Sequence, residues 1–442
     1  MRLLHTSDWH LGRHTYNVAR RPDHEAVVAE IVALAGEHRP DVIVHTGDLF
    51  DTGRPAVTDM TFAIETLREL AGIAPTVVLA GNHDSPALFE LFDSMLGGPG
   101  SRLRFIARPA RPADGGILDF PVGDDQRLRL APVPFVHANR MIDALEDPAT
   151  WLGSYQDRIH VIEEMLGAGL AAGYRHGRDV LVFAAHLHVG GVSVSNSERA
   201  AFVKAAYETQ VNHLPQVSYA AFGHIHRPQA LPSGANVRGR YAGSPIQLDF
   251  GEVGEEKSIV VVDAGPARPA AINTVPLTGG RPLRRFEGTL AQLQELAPSI
   301  GAELVLATID TTTPAVGLVE AVRDLLPSCE ILEVTERCAA RASTALSGSD
   351  LPSGSEPTFA ELFGEYVSES GVGRSSVKAV MDTFATLIDA VDAGEPAAFD
   401  AADALVGAGT RAGGPTTTSI SDDLTSAGQA GTEPGEEQAC GR

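Results

Sequence analysis

Five short apolar runs, at residues 2–6, 42–46, 77–80, 180–185 and 219–222, each end in a block of Asp, Asn or His. The blocks are Asp8-Trp9-His10, Gly47-Asp48-Leu49-Phe50-Asp51, Gly81-Asn82-His83-Asp84, His186-Leu187-His188 and Gly223-His224-Ile225-His226. Runs this short, and apolar on both faces, read as buried strands. Between the first two, Val27, Val28, Ile31, Val32 and Ala35 recur at helical spacing within 21–39. Strand, helix and strand repeated in this way predict an α/β core over residues 1–265 with covering helices. In an open α/β sheet the ligand site lies beyond the carboxyl ends of the strands. The five blocks are therefore expected at one common end.

The residue types point to divalent cations. Imidazole and carboxylate together suit Mn, Fe and Zn, and no Cys lies near the blocks to make a structural zinc site. In an extended segment, residues i and i+2 share a face, so Asp-x-His and His-x-His can each aim two side chains at one place. Asp48, central among the blocks, is placed to bridge two ions. Such a pair, about 3.5–4 Å apart, can clamp a phosphate and lower the pKa of a water. His83, next to Asn82, is placed to protonate the leaving oxygen or to stabilise the pentacovalent state.

A second pattern follows a turn-rich stretch near 266–282. It has a strand starting at Phe286, a helix at 290–296, a strand at 303–309, a helix at 318–326 after Pro314 and a strand at 331–335. This reads as a small α+β unit over 283–340. Ser, Gly and Pro then mark a linker at 341–356. A helix pair is expected over 357–394. Phe359, Leu362, Phe363, Tyr366 and Val367 line one helix, and Val377, Val380, Met381, Phe384, Leu387, Ile388 and Val391 line the other. Gly, Ala, Ser and Thr dominate 407–442, which reads as a disordered tail.

The formal net charge is -23 over 442 residues. The tail holds five acids and two arginines, which gives -3, so the acidity belongs to the folded part. That balance argues against gripping nucleic acid by bulk electrostatics, and leaves local basic patches or a basic partner. Three cysteines without framework spacing point to a reducing compartment. No apolar run reaches the about 18 residues of a membrane span, and the expected location is the cytoplasm.

The blocks taken together resemble the calcineurin-like metallophosphoesterases, whose pattern runs D-x-H, G-D-x-x-D, G-N-H-D, H and G-H-x-H. Within them, the run from Leu4 to Gly12, the segments at 47–53 and 79–85, Phe222 to Arg227 and Tyr241 to Pro245 resemble the SbcD nuclease subunits. The resemblance covers residues 1–260. It implies a sandwich core with flanking helices, and Mn2+-dependent hydrolysis of DNA as a 3′–5′ exonuclease and single-strand endonuclease acting on ends and hairpins in repair, recombination and replication. By that resemblance Asp8, His10, Asp48 and His226 hold one ion, Asp48, Asn82, His186 and His224 hold the other, and His83 is catalytic. The small unit becomes a capping DNA-binding domain. The helix pair docks on the coiled coil of an SbcC-like SMC-type ATPase, in a heterotetramer built on a homodimer.

Plainer roles stand beside these. Asp51 and Asp84 read as partners that steady ligands or shape turns, and His5 and His45 as packed histidines. His188 is an extra imidazole beside the site, read as facing substrate or supporting a ligand, with metal ligation the alternative. His14, His24, His38, His137, His160, His176 and His213 read as solvated or ordinary. Arg13, Arg20, Arg21, Arg54 and Arg227 lie near the blocks as possible phosphate contacts. Phe62, Ile64, Leu67 and Leu70 belong either to a dimer interface or to the core. Two other functions compete: a small-molecule phosphodiesterase using the same metal core, and a non-catalytic scaffold, which would gain nothing from seven converging ligands.

Overall fold

The computed structural model describes residues 1–98, 100–123, 125–137, 155–195, 197–198, 208–235, 237–341, 363–364, 367 and 374–393. They fall in two units, Met1–Ser343 and Thr344–Arg442. The predicted tail at 407–442 and nearly all of the predicted linker lie outside the described residues.

The first half of the larger unit runs β1 (Arg2–Thr6), β2 (His14–Thr15), β3 (Val18–Ala19), α1 (Arg21–His38), β4 (Val42–His45), α2 (Val57–Ile73), β5 (Thr76–Leu79), α3 (Pro86–Leu96) and β6 (Leu103–Ile106). It continues with β7 (Leu118–Val122), β8 (Gln126–Val133), α4 (Tyr155–Ala171), β9 (Asp179–His186), β10 (His188–Val189), β11 (Glu208–Thr209) and β12 (Tyr219–Gly223). Then come β13 (Gln229–Ala230), β14 (Gly239–Tyr241), β15 (Ser258–Gly265) and β16 (Arg268–Pro276). The last group is β17 (Leu283–Gly288), α5 (Leu290–Leu296), β18 (Leu304–Thr311), α6 (Leu318–Leu325) and β19 (Glu330–Cys338).

Two six-stranded sheets, in the orders β16-β15-β1-β4-β5-β6 and β13-β14-β12-β9-β8-β7, make the core. Leu3, Val44 and Val77 of the first pack against Leu130, Val182 and Ala221 of the second. One residue along, Leu4, Ile43 and Val78 turn outward to Val28, Ile31, Leu67 and Phe89 of α1, α2 and α3. On the far side Phe183 and Phe222 meet Ile159, Ile162 and Leu166 of α4. Both faces of the central strands are thus covered, which is why their sequences are apolar without alternation. Each such side chain, once buried, contributes about 1.5–3 kcal/mol. Leu67 and Leu70 belong to this core, with Phe62 and Ile64 packed partly buried on it.

The five motif strands divide between the two layers of the expected sandwich: β1, β4 and β5 belong to the first sheet, β9 and β12 to the second. Two expectations need correction. The stretch read as turn-rich contains β16, paired antiparallel with β15 along its length. Its proline-bearing sequence and its exposed outer face suit an edge strand and hid it from a pattern search. The small unit read as α+β is a strand-helix-strand-helix-strand unit whose three strands, β17-β18-β19, are all parallel. A parallel pair needs a crossover, and α5 and α6 supply the two. Thr289 caps α5 reciprocally with Gln292.

In the smaller unit a helix spans Arg374–Ala393. Phe363 stacks on Phe384 with ring centroids 3.8 Å apart, and Val367 is buried. The rest of the predicted first helix lies outside the described residues.

Candidate metal centre

Each motif block begins where a strand stops, and the backbone there leaves the extended region. Asp8, His10, Asp48 and His224 have φ of 52°, 49°, 52° and 99°. Left-handed backbone costs a non-glycine residue about 1–3 kcal/mol and persists where the surroundings impose it. Here the strand ends tie one another down. Asp8 N donates to Gly47 O and His10 N to Asp48 O, at 2.9 and 3.0 Å. Asp8 Oδ1 accepts from His224 N at 3.0 Å, joining the two sheets. Asp48 Oδ1 accepts from His83 N at 2.8 Å. The carboxylate of Asp84 accepts from the backbone N–H groups of Gly81, Leu49 and Phe50 at 2.8, 3.1 and 3.0 Å. Gly81 is required for proximity: a Cβ there would lie 2.1 Å from Asp48 Oδ1.

The side chains form overlapping groups. Donor atoms of Asp8, His10 and His226 lie within 4.8 Å of one another, as do those of Asp48, His186 and His224 and those of His10, Asp48 and His83. Asp48 Oδ2 stands between the first two groups, 3.6 Å from His10 Nε2 and 3.4 Å from His186 Nε2. Asn82 Oδ1 joins the second, 2.9 Å from His186 Nε2 and 2.7 Å from His224 Nδ1. The sequence-derived set of Asp8, His10, Asp48, Asn82, His186, His224 and His226, with His83 beside it, therefore lies in one place. His188 stands apart from these groups, its ring 6.3 Å from that of His224.

The imidazoles are oriented from behind. His186 Nδ1 contacts the carbonyl oxygen of Thr46 at 2.8 Å. A carbonyl only accepts, so Nδ1 carries a proton and Nε2 is the atom turned inward to Asp48 and Asn82. His226 Nδ1 lies 3.1 Å from Glu252 Oε1 and 2.8 Å from Ser197 Oγ. Its Nε2 is 3.1 Å from His10 Nε2, and His10 Nδ1 in turn is 3.3 Å from Asp51 Oδ1. Two ring nitrogens that close share either a proton or a metal ion. A carboxylate or carbonyl behind each ligating ring is the usual support of a metal-bound histidine. Buried imidazole, carboxylate and amide oxygen make a donor set that fits a pair of divalent ions.

The electrostatics agree. Burial raises the Asp8 carboxyl to about 6, with Asp48 adding to it, and lowers His10 to about 4. For His186 burial pushes down, but Asp48 outweighs it and the ring titrates near about 9. Burial raises Asp84 to about 7, again with help from Asp48. Opposed shifts packed in one cleft mark functional sites.

His83 is held by Nδ1, which donates to the carbonyl oxygen of Asp51 at 2.6 Å, and its ring meets His10 edge to face at 4.6 Å. Among the arginines, Arg20 is not available to a phosphate: it is fully buried and paired with Asp23 at 2.7 Å. Arg13 pairs with Asp51, and Arg21 with Glu25 and Asp59. Arg54 and Arg227 are exposed. His24 is also fully buried, not solvated.

Glu252 was not singled out by sequence. It binds His226, Ser244 Oγ at 3.1 Å and Lys257 Nζ at 2.6 Å, fully buried. Glu198 Oε1 accepts from His226 N at 3.0 Å. The only available signal was the position of Glu252 shortly after Tyr241 to Pro245, with no metal-ligand spacing of its own.

The calcineurin-like phosphoesterase family matches residues 1–228. The SbcD subunit of the SbcCD nuclease from Bacillus subtilis (strain 168) is 31% identical over 297 residues, 65% of this chain and 72% of that protein. Its namesake from Escherichia coli (strain K12) is 26% identical over 409 residues, 88% of this chain and 98% of the other. The one from Rhodobacter capsulatus is 28% identical over 322 residues, 67% and 76% of the two chains.

Proposed function

Because this chain belongs to the calcineurin-like phosphoesterase family, among the SbcD nuclease subunits, we propose that it is a two-metal DNA nuclease subunit working with an SbcC-like ATPase. One observation carries the reading: seven donor-bearing residues from five strand ends converge around Asp48, with His83 at their edge. Asp8, His10, Asp48 and His226 would hold one ion, and Asp48, Asn82, His186 and His224 the other. When bound, the pair of ions, Mn2+ by kinship, supplies Lewis acidity and a water of low pKa.

The remaining roles fall to the protein. Asp48 spans both ligand groups and fixes their separation. Thr46, Asp51 and Glu252 keep the ligating rings in register. His83, its ring fixed by the carbonyl oxygen of Asp51, delivers a proton to the leaving oxygen or a hydrogen bond to the crowded phosphorus centre. Arg54 and Arg227 meet phosphates of the DNA backbone. The β17–β19 unit acts as the cap over DNA, and the Arg374–Ala393 helix with its partner segment docks on the ATPase coiled coil. No helix among the described residues is long and apolar enough to cross a membrane, in keeping with a cytoplasmic nuclease.

The test is Mn2+-dependent cleavage of a labelled DNA hairpin by wild type and His83→Ala, each with and without an SbcC-like partner. The expected loss in the variant is about 10²–10⁴-fold, with metal content unchanged. Hydrolysis of bis(p-nitrophenyl) phosphate without any DNA cleavage would instead indicate a small-molecule phosphodiesterase.

A further inference from the structure

A second group of potential ligands lies on the other side of the second sheet. His160 and Glu163 share one face of α4, three residues apart. The 3-10 turn Val211–His213 brings His213 against them. One donor atom from each of the three lies within 4.8 Å of the others. The rings of His160 and His213 stack at 3.8 Å between centroids, 30° from parallel.

Glu163 is the unusual member. Glutamate is almost never fully buried without a partner of opposite charge, yet Glu163 is 0% exposed. Its one described partner is the Thr209 hydroxyl, 2.9 and 3.1 Å from the two carboxylate oxygens. A hydroxyl has a single proton to offer two oxygens. Burial drives the group up to about 8. His160 Nδ1 is also buried without a hydrogen-bond partner among the described residues. Further negative charge surrounds the group: Glu164 Oε1 lies 3.4 Å from His160 Nε2, and the carboxylates of Glu164 and Asp157 both act on His213. A buried acid beside two imidazoles, with more carboxylates around them, is a set of donors that a cation would draw together.

We propose that His160, Glu163 and His213 form a further metal site for one first-row transition ion of the Zn2+ class. Two imidazoles and one carboxylate are a known zinc donor set, with water as the fourth ligand. The two histidines are half-exposed, which gives an ion its way in and leaves a face for that water. Around an ion with bonds of about 2.1 Å, tetrahedral donors stand about 3.4 Å apart. The stacked rings of His160 and His213 would splay apart for the in-plane lone pairs of both to face one ion. Thr209 then steadies Glu163 from behind. The ion would fasten the 211–213 turn to α4. The site does not depend on the nuclease reading.

The test uses the full-length chain, stripped of metal and dialysed against Zn2+, with bound metal counted by atomic emission. Wild type is compared with His213→Ala and His160→Gln, both at the half-exposed edge of the group, and far-ultraviolet circular dichroism checks each fold. The expected result is one ion per chain fewer in both variants, with Mn2+-dependent hydrolysis of bis(p-nitrophenyl) phosphate within twofold of wild type. Co2+ in place of Zn2+ should give a visible tetrahedral absorption band that His213→Ala removes. Equal metal counts in all three proteins, with activity kept, would overturn this site and leave the nuclease reading intact. No bound ion in any of them would overturn both.

Discussion

Four of the proposed ligands, Asp8, His10, Asp48 and His224, sit in left-handed backbone, and Gly81 leaves room for one of them. Gly81→Ala would drive a methyl group into Asp48 Oδ1. We expect at least about 100-fold loss of Mn2+-dependent phosphodiesterase activity, since a displacement of about 1 Å at a catalytic centre costs that much. Gly72 provides the contrast: it lies inside α2 with nothing near its missing Cβ. Gly72→Ala should raise stability by about 0.5–1 kcal/mol and leave activity unchanged. Glu252→Gln should weaken metal binding by about 10–100-fold, the usual effect of removing a group that orients a ligand, as read by Mn2+ titration of the purified variant. The ligands themselves were legible because each block lies within a few residues of a strand end. Glu252 was not, because it reaches His226 from a separate 3-10 turn, Phe250–Glu252. Nor were His160, Glu163 and His213, whose meeting depends on how a helix and a turn pack.

At the scale of elements, Asp23 on α1 bolts the β17–β19 unit to the sandwich. It accepts from Arg281 N and Nε at 2.7 and 2.9 Å, just ahead of β17, and from Arg20 Nε at 2.7 Å. Burial pushes its carboxyl up, but the bonds from Arg281 and Arg20 outweigh that and hold it at about 2, against an ordinary 3.8. A depressed carboxyl stabilises the fold above its unfolded pKa and loses that contribution as pH falls through the folded one. Asp23→Asn should therefore cost about 3 kcal/mol at pH 7, in urea melts followed by circular dichroism. The gap between wild type and variant should close between pH 4 and pH 2, and a gap that stayed constant would contradict this role. The helix at the start of the chain was readable from its apolar spacing, and the boundaries of α5 and α6 came out within a residue or so. β16 was not readable, because an edge strand with one solvated face carries half a pattern and its prolines mimic a loop. Strand direction in the small unit was not readable either, since direction follows from crossover packing.

Over the whole molecule, the site belongs to neither sheet alone: Asp8, Asp48 and Asn82 follow strands of one, His186 and His224 strands of the other. The buried acids and imidazoles of that seam are the donors that the proposed cations would hold together. Saturating Mn2+ should therefore raise the melting temperature and chelation by EDTA lower it, and ions that bind only the folded chain stabilise it by about 2.7 kcal/mol at 100 times Kd. Asp48→Asn should flatten that response. The same architecture sets an order on the birth of the protein. β1 lies between β4 and β15, with Arg2 opposite Asp263, so β1 borders a strand that is made long after it. At about 5–20 residues per second, one side of it stays unzipped for roughly 13–50 s. Throughout that interval the nascent chain offers an apolar strand with an open edge. Its safe passage to the folded state then rests on the helix that follows, which can cover one face of that strand long before its neighbour arrives.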